Sequence, residues 1–319
     1  MVAGAVIAEA EAVGTGARTQ REWTEVTRAP QGALLFWVVP LLREKSGSLI
    51  LFCERPACHL AAGRIMNPST STIEFSNVEY RVASDRALLS GLNLVVNRGE
   101  TLMLLGRSGS GKTTCLKLIN RLLVPTSGDV LVADKRTQDW DAIQLRRGIG
   151  YAIQDVGLFP HCTVWQNVAL VPKLEKWDQQ RVEQRVEEVL QLVGLPARDF
   201  RGRYPNQLSG GQRQRVGLAR ALAAEPPILL MDEPFGALDP ITRAEIQVEF
   251  KKLQQKLRKT IVFVTHDVGE ALMLGDRIAL MEEGRLRGVL APREFLETSD
   301  SVAQEYARVF RAGQQAFRN

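Results

Sequence analysis

The chain has 319 residues, of which 45% are hydrophobic, so it can bury a sizeable core in one large or two moderate domains. Its net charge is +5, but the charges are dispersed and no basic block stands out, so we expect no nucleic-acid partner. No apolar run approaches the roughly 20 residues that a membrane-spanning helix needs. The four cysteines lack the spacing of a disulfide framework and are expected as thiols.

Residues 1–70 are predicted to form a poorly ordered extension, because they show no sustained helical or strand periodicity. The composition changes abruptly after Met66, which suggests the hypothesis that this methionine is the biological start. Cys53, Cys58 and His59 could be imagined in a zinc site. Their spacing is wide and no second pair follows, so we favour incidental residues.

From Ile73 onward, short β-type runs alternate with helical segments, which predicts the α/β class with a largely parallel sheet. The predicted strands are Leu92–Val96, Thr101–Leu105, Val130–Ala133, Ile149–Ile153, Ile228–Met231, Ile261–Thr265 and Arg277–Met281. No convincing strand lies between the fourth and fifth of these runs, so we expect a helical subdomain over about residues 155–225. Its clearest helix is Gln179–Val193, which has one apolar face. Residues 291–319 are predicted to be a short helical tail.

A glycine-rich run follows the apolar strand Thr101–Leu105 and matches the P-loop spacing G-x-x-x-x-G-K-[ST]. In such a loop, glycines let successive backbone N–H groups curl around phosphate oxygens, and the following helix points its positive end at the same anion. Lys112 is expected to reach the β and γ phosphates of a nucleotide, and Thr113 to offer a hydroxyl to Mg²⁺. A plain glycine turn is the alternative. The residues predicted to bind nucleotide are Gly106, Arg107, Ser108, Gly109, Ser110, Gly111, Lys112, Thr113 and Thr114.

Two carboxylates end the buried strand pattern Ile228–Met231. Asp232 fits the acid that supports Mg²⁺ beside a P-loop. Glu233 is placed to polarise a water for attack on the γ-phosphate, as a general base. The alternative is a strand that runs into an acidic turn, but the P-loop favours the functional interpretation.

A second phosphate-binding pattern begins at Ser209 and runs through Gly210, Gly211 and Gln212 into a predicted helix. Ser209 is expected to cap this helix, and the two glycines expose backbone amides at its N-terminus. A simple capped helix is the alternative. A second phosphate site beside a single P-loop is explained if two copies of the chain pair head to tail.

These motifs occur together in the order seen in ATP-binding cassette (ABC) transporter ATPases, followed by Gly236–Asp239 and a lone His266. The chain resembles that family over about residues 72–290. The resemblance implies a P-loop NTPase cassette at 71–290, with a mixed or parallel sheet core, a helical subdomain and an antiparallel β subdomain. It also implies an ATPase that uses Mg²⁺ and forms a head-to-tail dimer around two ATP molecules, each held by the P-loop of one copy and the Ser209 pattern of the other.

The resemblance assigns further residues. Gln154 matches the residue that senses Mg²⁺ and the membrane partner, Asp239 would lie at the dimer seam, and His266 would contact the γ-phosphate. The aromatic residue that stacks on adenine is replaced by Val82 in this chain. Tyr80 lies two residues earlier on the same face of the strand, so it is the candidate for stacking, and an aliphatic surface is the alternative.

One segment narrows the resemblance to a group. The segment Gln154–His161, together with Thr163, Asn167–Pro172 and Trp177, looks like the quaternary-amine uptake group, which handles glycine betaine, choline and similar osmoprotectants. This implies an importer subunit on the cytoplasmic face of the plasma membrane, peripheral to it, with separate permease subunits and, indirectly, a substrate-binding protein. The alternatives are an ABC ATPase for a different solute or a lipid, and a soluble ABC ATPase with no role in transport.

Leu158 and Phe159 are expected to form the apolar part of a groove for a helix of the permease. Packing inside the helical subdomain is the alternative for both side chains.

Overall fold

The computed structural model describes residues 71–82, 86–154, 156–236 and 238–316, all within one compact unit from Met66 to Asn319. The predicted extension at 1–70, with the hypothesis on Met66 and the cysteine pair Cys53 and Cys58, lies outside the described residues. Among the described helices, none is long and apolar enough to cross a bilayer. The same residues contain no group of three or more His, Cys, Asp or Glu side chains arranged to hold a metal ion.

An antiparallel sheet of four strands, in the order β2-β1-β4-β5, carries the N-terminal part of the described chain. Its strands are β1 (Ser71–Arg81), β2 (Ala87–Asn97), β4 (Ser127–Val132) and β5 (Lys135–Arg136). In β2, Leu92, Leu94 and Val96 are buried and the residues between them are exposed, so one face of the sheet packs on the core. The strand begins at Ala87, before the predicted Leu92. The prediction missed these first residues because a shift in register and the positive φ of Gly91 (61°) interrupt the alternation ahead of Leu92.

A six-stranded sheet forms the centre of the fold, in the order β10-β9-β3-β8-β7-β6. Its strands are β3 (Thr101–Leu105), β6 (Ile149–Ala152), β7 (Ile228–Asp232), β8 (Thr260–Thr265), β9 (Arg277–Glu282) and β10 (Arg285–Leu290). All neighbours are parallel except β9 and β10. The edge strand β10 was not predicted, because it is only half-buried and lacks the continuous apolar run of the central strands.

The central sheet has a hydrophobic core on each face. Met103 and Leu105 of β3 point into one core and Leu102 and Leu104 into the other, as the alternation of a strand requires. The first core is shared with the helices α3 (Val164–Leu174), α4 (Gln179–Leu192), α6 (Gly210–Leu222), α7 (Pro240–Leu257) and α8 (Val268–Leu274). The second is shared with the antiparallel sheet and α1 (Lys112–Ile119). Both faces of the strands are therefore covered, which is why β3, β7 and β8 are buried at every position.

Helices α3 (Val164–Leu174), α4 (Gln179–Leu192), α5 (Ala197–Phe200) and α6 (Gly210–Leu222) fill the interval between β6 and β7. The described part of this interval contains no strand. The apolar face of α4 is buried, and its residues are Val182, Val186, Val189 and Leu190. The other helices are α1 (Lys112–Ile119), α2 (Ala142–Arg147), α7 (Pro240–Leu257), α8 (Val268–Leu274), α9 (Pro292–Glu297) and α10 (Ser301–Ala316).

Candidate nucleotide-binding site

The P-loop joins the end of β3 to the start of α1. Gly106 has to be glycine, because a Cβ there would lie 2.3 Å from the carbonyl oxygen of Met281. Gly111 is the residue before the helix and has a φ of 98°, a conformation that side chains rarely adopt. No side chain caps α1, so the N–H groups of its first turn and the positive end of its dipole face the loop.

Lys112 lies across this loop. Its side chain is buried, and Nζ donates hydrogen bonds to the carbonyl oxygens of Gly106 at 2.7 Å and Arg107 at 2.8 Å. Burial lowers the pKa of Lys112, and the carboxylates of Glu233 and Asp232 oppose this effect. The ammonium is therefore held where a negatively charged group inside the loop would meet it.

Asp232 ends β7 beside the first turn of α1, because β7 and β3 are both parallel to β8 and end at the same edge of the sheet. Its Oδ1 accepts a hydrogen bond from the Thr113 hydroxyl at 2.9 Å. Burial raises the pKa of Asp232, an effect that the hydrogen bond from Thr113 opposes. The Tyr151 hydroxyl of β6 lies 3.4 Å from the other carboxylate oxygen. Sequence reasoning missed Tyr151, which sits in a strand pattern and carries no motif.

Glu233 and His266 form a second polar pair at this edge. Glu233 Oε2 lies 3.1 Å from Nδ1 of His266. The Glu233 backbone has a φ of 43°, an uncommon conformation for a residue with a side chain, and its N–H donates to the Val264 carbonyl of β8. The imidazole is 59% exposed and the carboxylate 22% exposed, so both remain accessible to a ligand.

The Ser209 pattern forms the N-terminus of α6. Ser209 Oγ accepts the Gln212 N–H, and Gln212 Oε1 accepts the Ser209 N–H, so the two residues make a capping box. Gly211 has no room for a side chain, because a Cβ would lie 2.6 Å from Cγ2 of Thr242 on α7. Ser209 and the neighbouring Gly210 are exposed.

Asp239 lies next to this pattern at the start of α7, which it caps by accepting the Thr242 N–H at 3.0 Å. The backbone hydrogen bond of Thr242 lowers the pKa of Asp239. Within the described residues, no hydrogen bond or ion pair joins the group Ser209–Gln212 to the P-loop. The two groups that the sequence predicts to bind phosphate are therefore separate in one chain.

Gln154 and Tyr80 are two further residues that the sequence predicts to belong to the site. Gln154 is exposed, just past the end of β6, and no hydrogen bond joins it to Thr113 or Asp232 among the described residues. Tyr80 is half-buried and pairs with Leu89 of β2, whose side chain lies 2.6 Å from the position of a Cβ on Gly111. Cross-strand partners share one face of a sheet, so the Tyr80 ring is on the face that borders the P-loop.

The segment that follows Gln154 is held by a buried asparagine. Asn167 of α3 accepts the Phe159 N–H and donates towards the carbonyls of Phe159, Cys162 and Thr163. The Phe159 side chain is 42% exposed, whereas Leu158 packs against the core. Phe159 therefore faces solvent, whereas Leu158 points inward, so the two side chains that were expected in one groove do not lie together.

Arg107 of the P-loop has a partner that the sequence did not reveal. Its guanidinium lies 2.9 Å from both carboxylate oxygens of Glu305 on α10. Phe310 of the same helix lies next to Gly269 in α8. The C-terminal helix thus lies beside both the P-loop and the segment that carries His266.

Comparison with known proteins agrees with this geometry. A family model described as ABC transporter matches residues 89–236. The glycine betaine uptake system ATP-binding protein YehX of Escherichia coli is 50% identical over 214 residues, which cover 67% of this chain and 69% of that protein. The chain belongs to the ABC transporter ATP-binding family.

Other relatives of this ABC protein agree on the family and the fold. The osmoprotectant import ATP-binding protein OsmV of Salmonella typhimurium is 53% identical over 208 residues, 65% of this chain and 54% of OsmV, so the chain spans about half the length of that relative. A solved dimer of the ATP-binding cassette MJ0796, in a post-hydrolysis state bound to ADP and Pi, matches with a TM-score of 0.62 at 37% identity. That match covers 69% of this chain and 99% of the other. The predicted fold class, an ABC-type P-loop cassette, is confirmed.

Proposed function

We propose that this chain is the ATP-hydrolysing subunit of an ABC importer that takes up a quaternary-amine osmoprotectant through a separate permease. The observation that carries the proposal is the arrangement at the carboxyl edge of the central sheet. There, the Thr113 hydroxyl meets the Asp232 carboxylate at 2.9 Å. Beside them, the Glu233 carboxylate meets the His266 imidazole at 3.1 Å.

ATP fits the P-loop as built. Phosphate oxygens carry a charge that the carbonyl partners of Lys112 lack, so they are the stronger acceptors for its ammonium. The uncapped first turn of α1 supplies N–H donors for the same phosphates. Arg107, Ser108 and Gly109 are exposed along the mouth of the loop, and Tyr80 borders it as the candidate for adenine stacking.

Mg²⁺ also fits the residues present. This ion prefers oxygen ligands and keeps several from water and phosphate, so a hydroxyl and one carboxylate are a sufficient contribution from the protein. Thr113 and Asp232 would hold it, and Gln154 would join them once its loop moves towards the nucleotide. When bound, the ion neutralises charge on the phosphates.

The hydrolytic step is assigned to Glu233 and His266. Glu233 accepts a proton from the water that attacks the γ-phosphorus, while the bond to the β-phosphate oxygen breaks. Because the Nδ1 of His266 faces Glu233, its Nε2 remains to contact a γ-phosphate oxygen. The water, the carboxylate and the imidazole then form one line of hydrogen bonds.

The second phosphate-binding pattern requires a second copy of the chain. Ser209 and Gly210 are exposed, and no hydrogen bond or ion pair among the described residues joins Ser209–Gln212 to the P-loop of its own chain. A head-to-tail dimer would let each pattern complete the site of the partner, with Asp239 at the seam. The solved relative that is described as dimeric with ADP and Pi supports this arrangement. Closure around ATP would be the movement passed to the permease.

Docking to a permease is assigned to the loop that carries Phe159. The exposed ring offers an apolar surface, and the hydrogen bonds of Asn167 keep the loop rigid. The chain would thereby be peripheral to the cytoplasmic face of the membrane. The solute class rests on the relatives described as importing osmoprotectants and glycine betaine, systems that would also include a substrate-binding protein.

Two experiments test the proposal. Glu233→Gln is expected to retain ATP binding and to accumulate an ATP-bound dimer in size-exclusion chromatography, while Lys112→Ala is expected to lose nucleotide binding. Turnover of the Glu233→Gln variant near that of wild type would remove Glu233 as the base. Uptake of radiolabelled betaine and choline should be lost in a strain that lacks the gene and return with wild-type protein only. Unchanged uptake of both betaine and choline in that strain would reject the solute class.

A further inference from the structure

The helices α7 and α8 are joined by polar side chains. Gln247 Nε2 of α7 donates to Glu270 Oε1 of α8 at 2.9 Å, and Gln254 Nε2 donates to the Leu274 carbonyl at 3.3 Å. Since the partner numbers rise together, the two helices run parallel, with both N-termini at the edge of the sheet where nucleotide is proposed to bind. The turn at Asp239 opens α7, and His266 immediately precedes the cap of α8.

Glu270 is the buried centre of this contact. Only 6% of it is exposed, and besides Gln247 it accepts a hydrogen bond from the hydroxyl of Thr265. Thr265 is itself buried and its Oγ1 accepts the Asp267 N–H at 2.9 Å. The Thr265 side chain therefore bonds to the residue on the far side of His266, and Glu270 fixes that side chain.

Burying the carboxylate of Glu270 between the two helices is energetically unfavourable. Burial raises the pKa of Glu270, and the nearby Asp267 acts in the same direction, whereas Arg243 and the two hydrogen-bond donors oppose it. An apolar residue of similar volume would pack here without that desolvation cost. Stability alone does not account for Glu270, so its hydrogen bonds point to another requirement.

We propose that Glu270 is a positioning residue, which orients His266 towards Glu233 through its simultaneous hydrogen bonds to Gln247 and Thr265. The proposal rests on the assigned role of His266 and Glu233 in hydrolysis. Because Glu270 is buried, we assign it no contact with the nucleotide or the reacting water. It acts by fixing the backbone on both sides of His266 and by tying that backbone to the helix that begins at Asp239.

The test compares three variants of the full chain. Gln247→Leu removes one hydrogen bond of Glu270. Gln254→Leu is the matched control, because it removes a glutamine donor from the same helix without touching Glu270. The exchange variant, Gln247→Glu with Glu270→Gln, reverses the pair. The amide at position 270 can then donate a hydrogen bond to the carboxylate at position 247.

We expect Gln247→Leu to lower the kcat for ATP about tenfold while the Kd for ATP stays within about twofold of wild type. The exchange variant should recover most of that loss, and Gln254→Leu should leave kcat unchanged. In histidine ¹⁵N NMR spectra, the His266 ring resonances should shift in Gln247→Leu but not in Gln254→Leu, while those of His161 stay in place.

Equal kcat values for Gln247→Leu and Gln254→Leu, at equal folded fraction, would overturn the proposal. So would unmoved His266 resonances in Gln247→Leu. The NMR measurement needs no turnover, so a positioning role can fail or hold even if wild-type protein proves to have no ATPase activity, which would instead reject the proposed function.

Discussion

Replacing Asn167 with alanine should loosen the loop that carries Phe159. Asn167 is fully buried, and its Oδ1 accepts the Phe159 N–H at 2.8 Å. Its Nδ2 lies within 3.2 Å of the carbonyls of Phe159, Cys162 and Thr163, but an amide has only two protons and satisfies two of them at once. Alanine therefore removes three hydrogen bonds, and at about 1 kcal/mol net for each, the free energy of unfolding should fall by about 3 kcal/mol.

Asn167→Asp gives a sharper test, because aspartate keeps the shape and changes the chemistry. An ionised carboxylate still accepts the Phe159 N–H, but it points a buried charge at the carbonyl oxygens and has no proton for them. That cost exceeds the loss of neutral hydrogen bonds, so Asn167→Asp should be the less stable of the two variants. Asn206→Ala, at an exposed asparagine, serves as the control and should unfold as wild type does.

Urea unfolding followed by circular dichroism measures these differences in free energy. Turnover of ATP by the isolated subunit should stay within about twofold of wild type, since neither variant touches the P-loop or Glu233. Stimulation of that turnover by permease in vesicles should be lost. A wild-type urea midpoint for Asn167→Ala, or a higher midpoint for Asn167→Asp than for Asn167→Ala, would refute the idea that Asn167 makes the loop rigid.

Three further predictions follow from the same site. Gly106→Ala places a Cβ 2.3 Å from the Met281 carbonyl, so the loop must shift and affinity for a fluorescent ATP analogue should fall at least about tenfold in titration; unchanged affinity would mean that the loop absorbs the side chain. Burial raises the pKa of Asp232, so its ionised form is less favourable in the folded than in the unfolded chain. Asp232→Asn should therefore raise the melting temperature at neutral pH. The same variant should lower Mg²⁺-dependent turnover. The stability gain should shrink as pH falls through the raised pKa and wild-type Asp232 takes up a proton, and a variant less stable than wild type at neutral pH would contradict this. Burial raises the pKa of Cys115 to about 12, so iodoacetamide at pH 8 should label the half-buried Cys162 before Cys115, as peptide mass spectrometry can show; equal labelling would contradict the burial of Cys115.

The parts of the fold that could be predicted from sequence are those with a strong local pattern. The central strand Thr101–Leu105 was predicted at its observed bounds, because a strand covered on both faces is a continuous apolar run. The buried face of α4 follows the helical period. The half-buried edge strand β10 and the interrupted strand β2 lack such a pattern, and their extent depends on the strands beside them.

The site residues also differ in whether a local sequence pattern predicts them. Ser209 was predicted as a helix cap, because the capping box is written within four consecutive residues. Tyr151 and Glu305 were not predicted, because neither carries a motif and each meets its partner only across the fold. Tyr151 is 81 positions from Asp232, and Arg107 is 198 positions from Glu305.

The sequence by itself determined which chemical groups the protein has and the order in which short motifs present them. The residues from Gly106 to Thr113 are consecutive, so the sequence alone places the glycines, Lys112 and Thr113 in one short segment between a strand and a helix. Only the tertiary structure decided that Asp232 meets Thr113 and that Glu270 ties Gln247 to Thr265. Those contacts depend on the parallel order of β3, β8 and β7 and on the packing of α7 against α8. Both arrangements are stabilised by side chains that are distant in sequence and are buried together in the two cores.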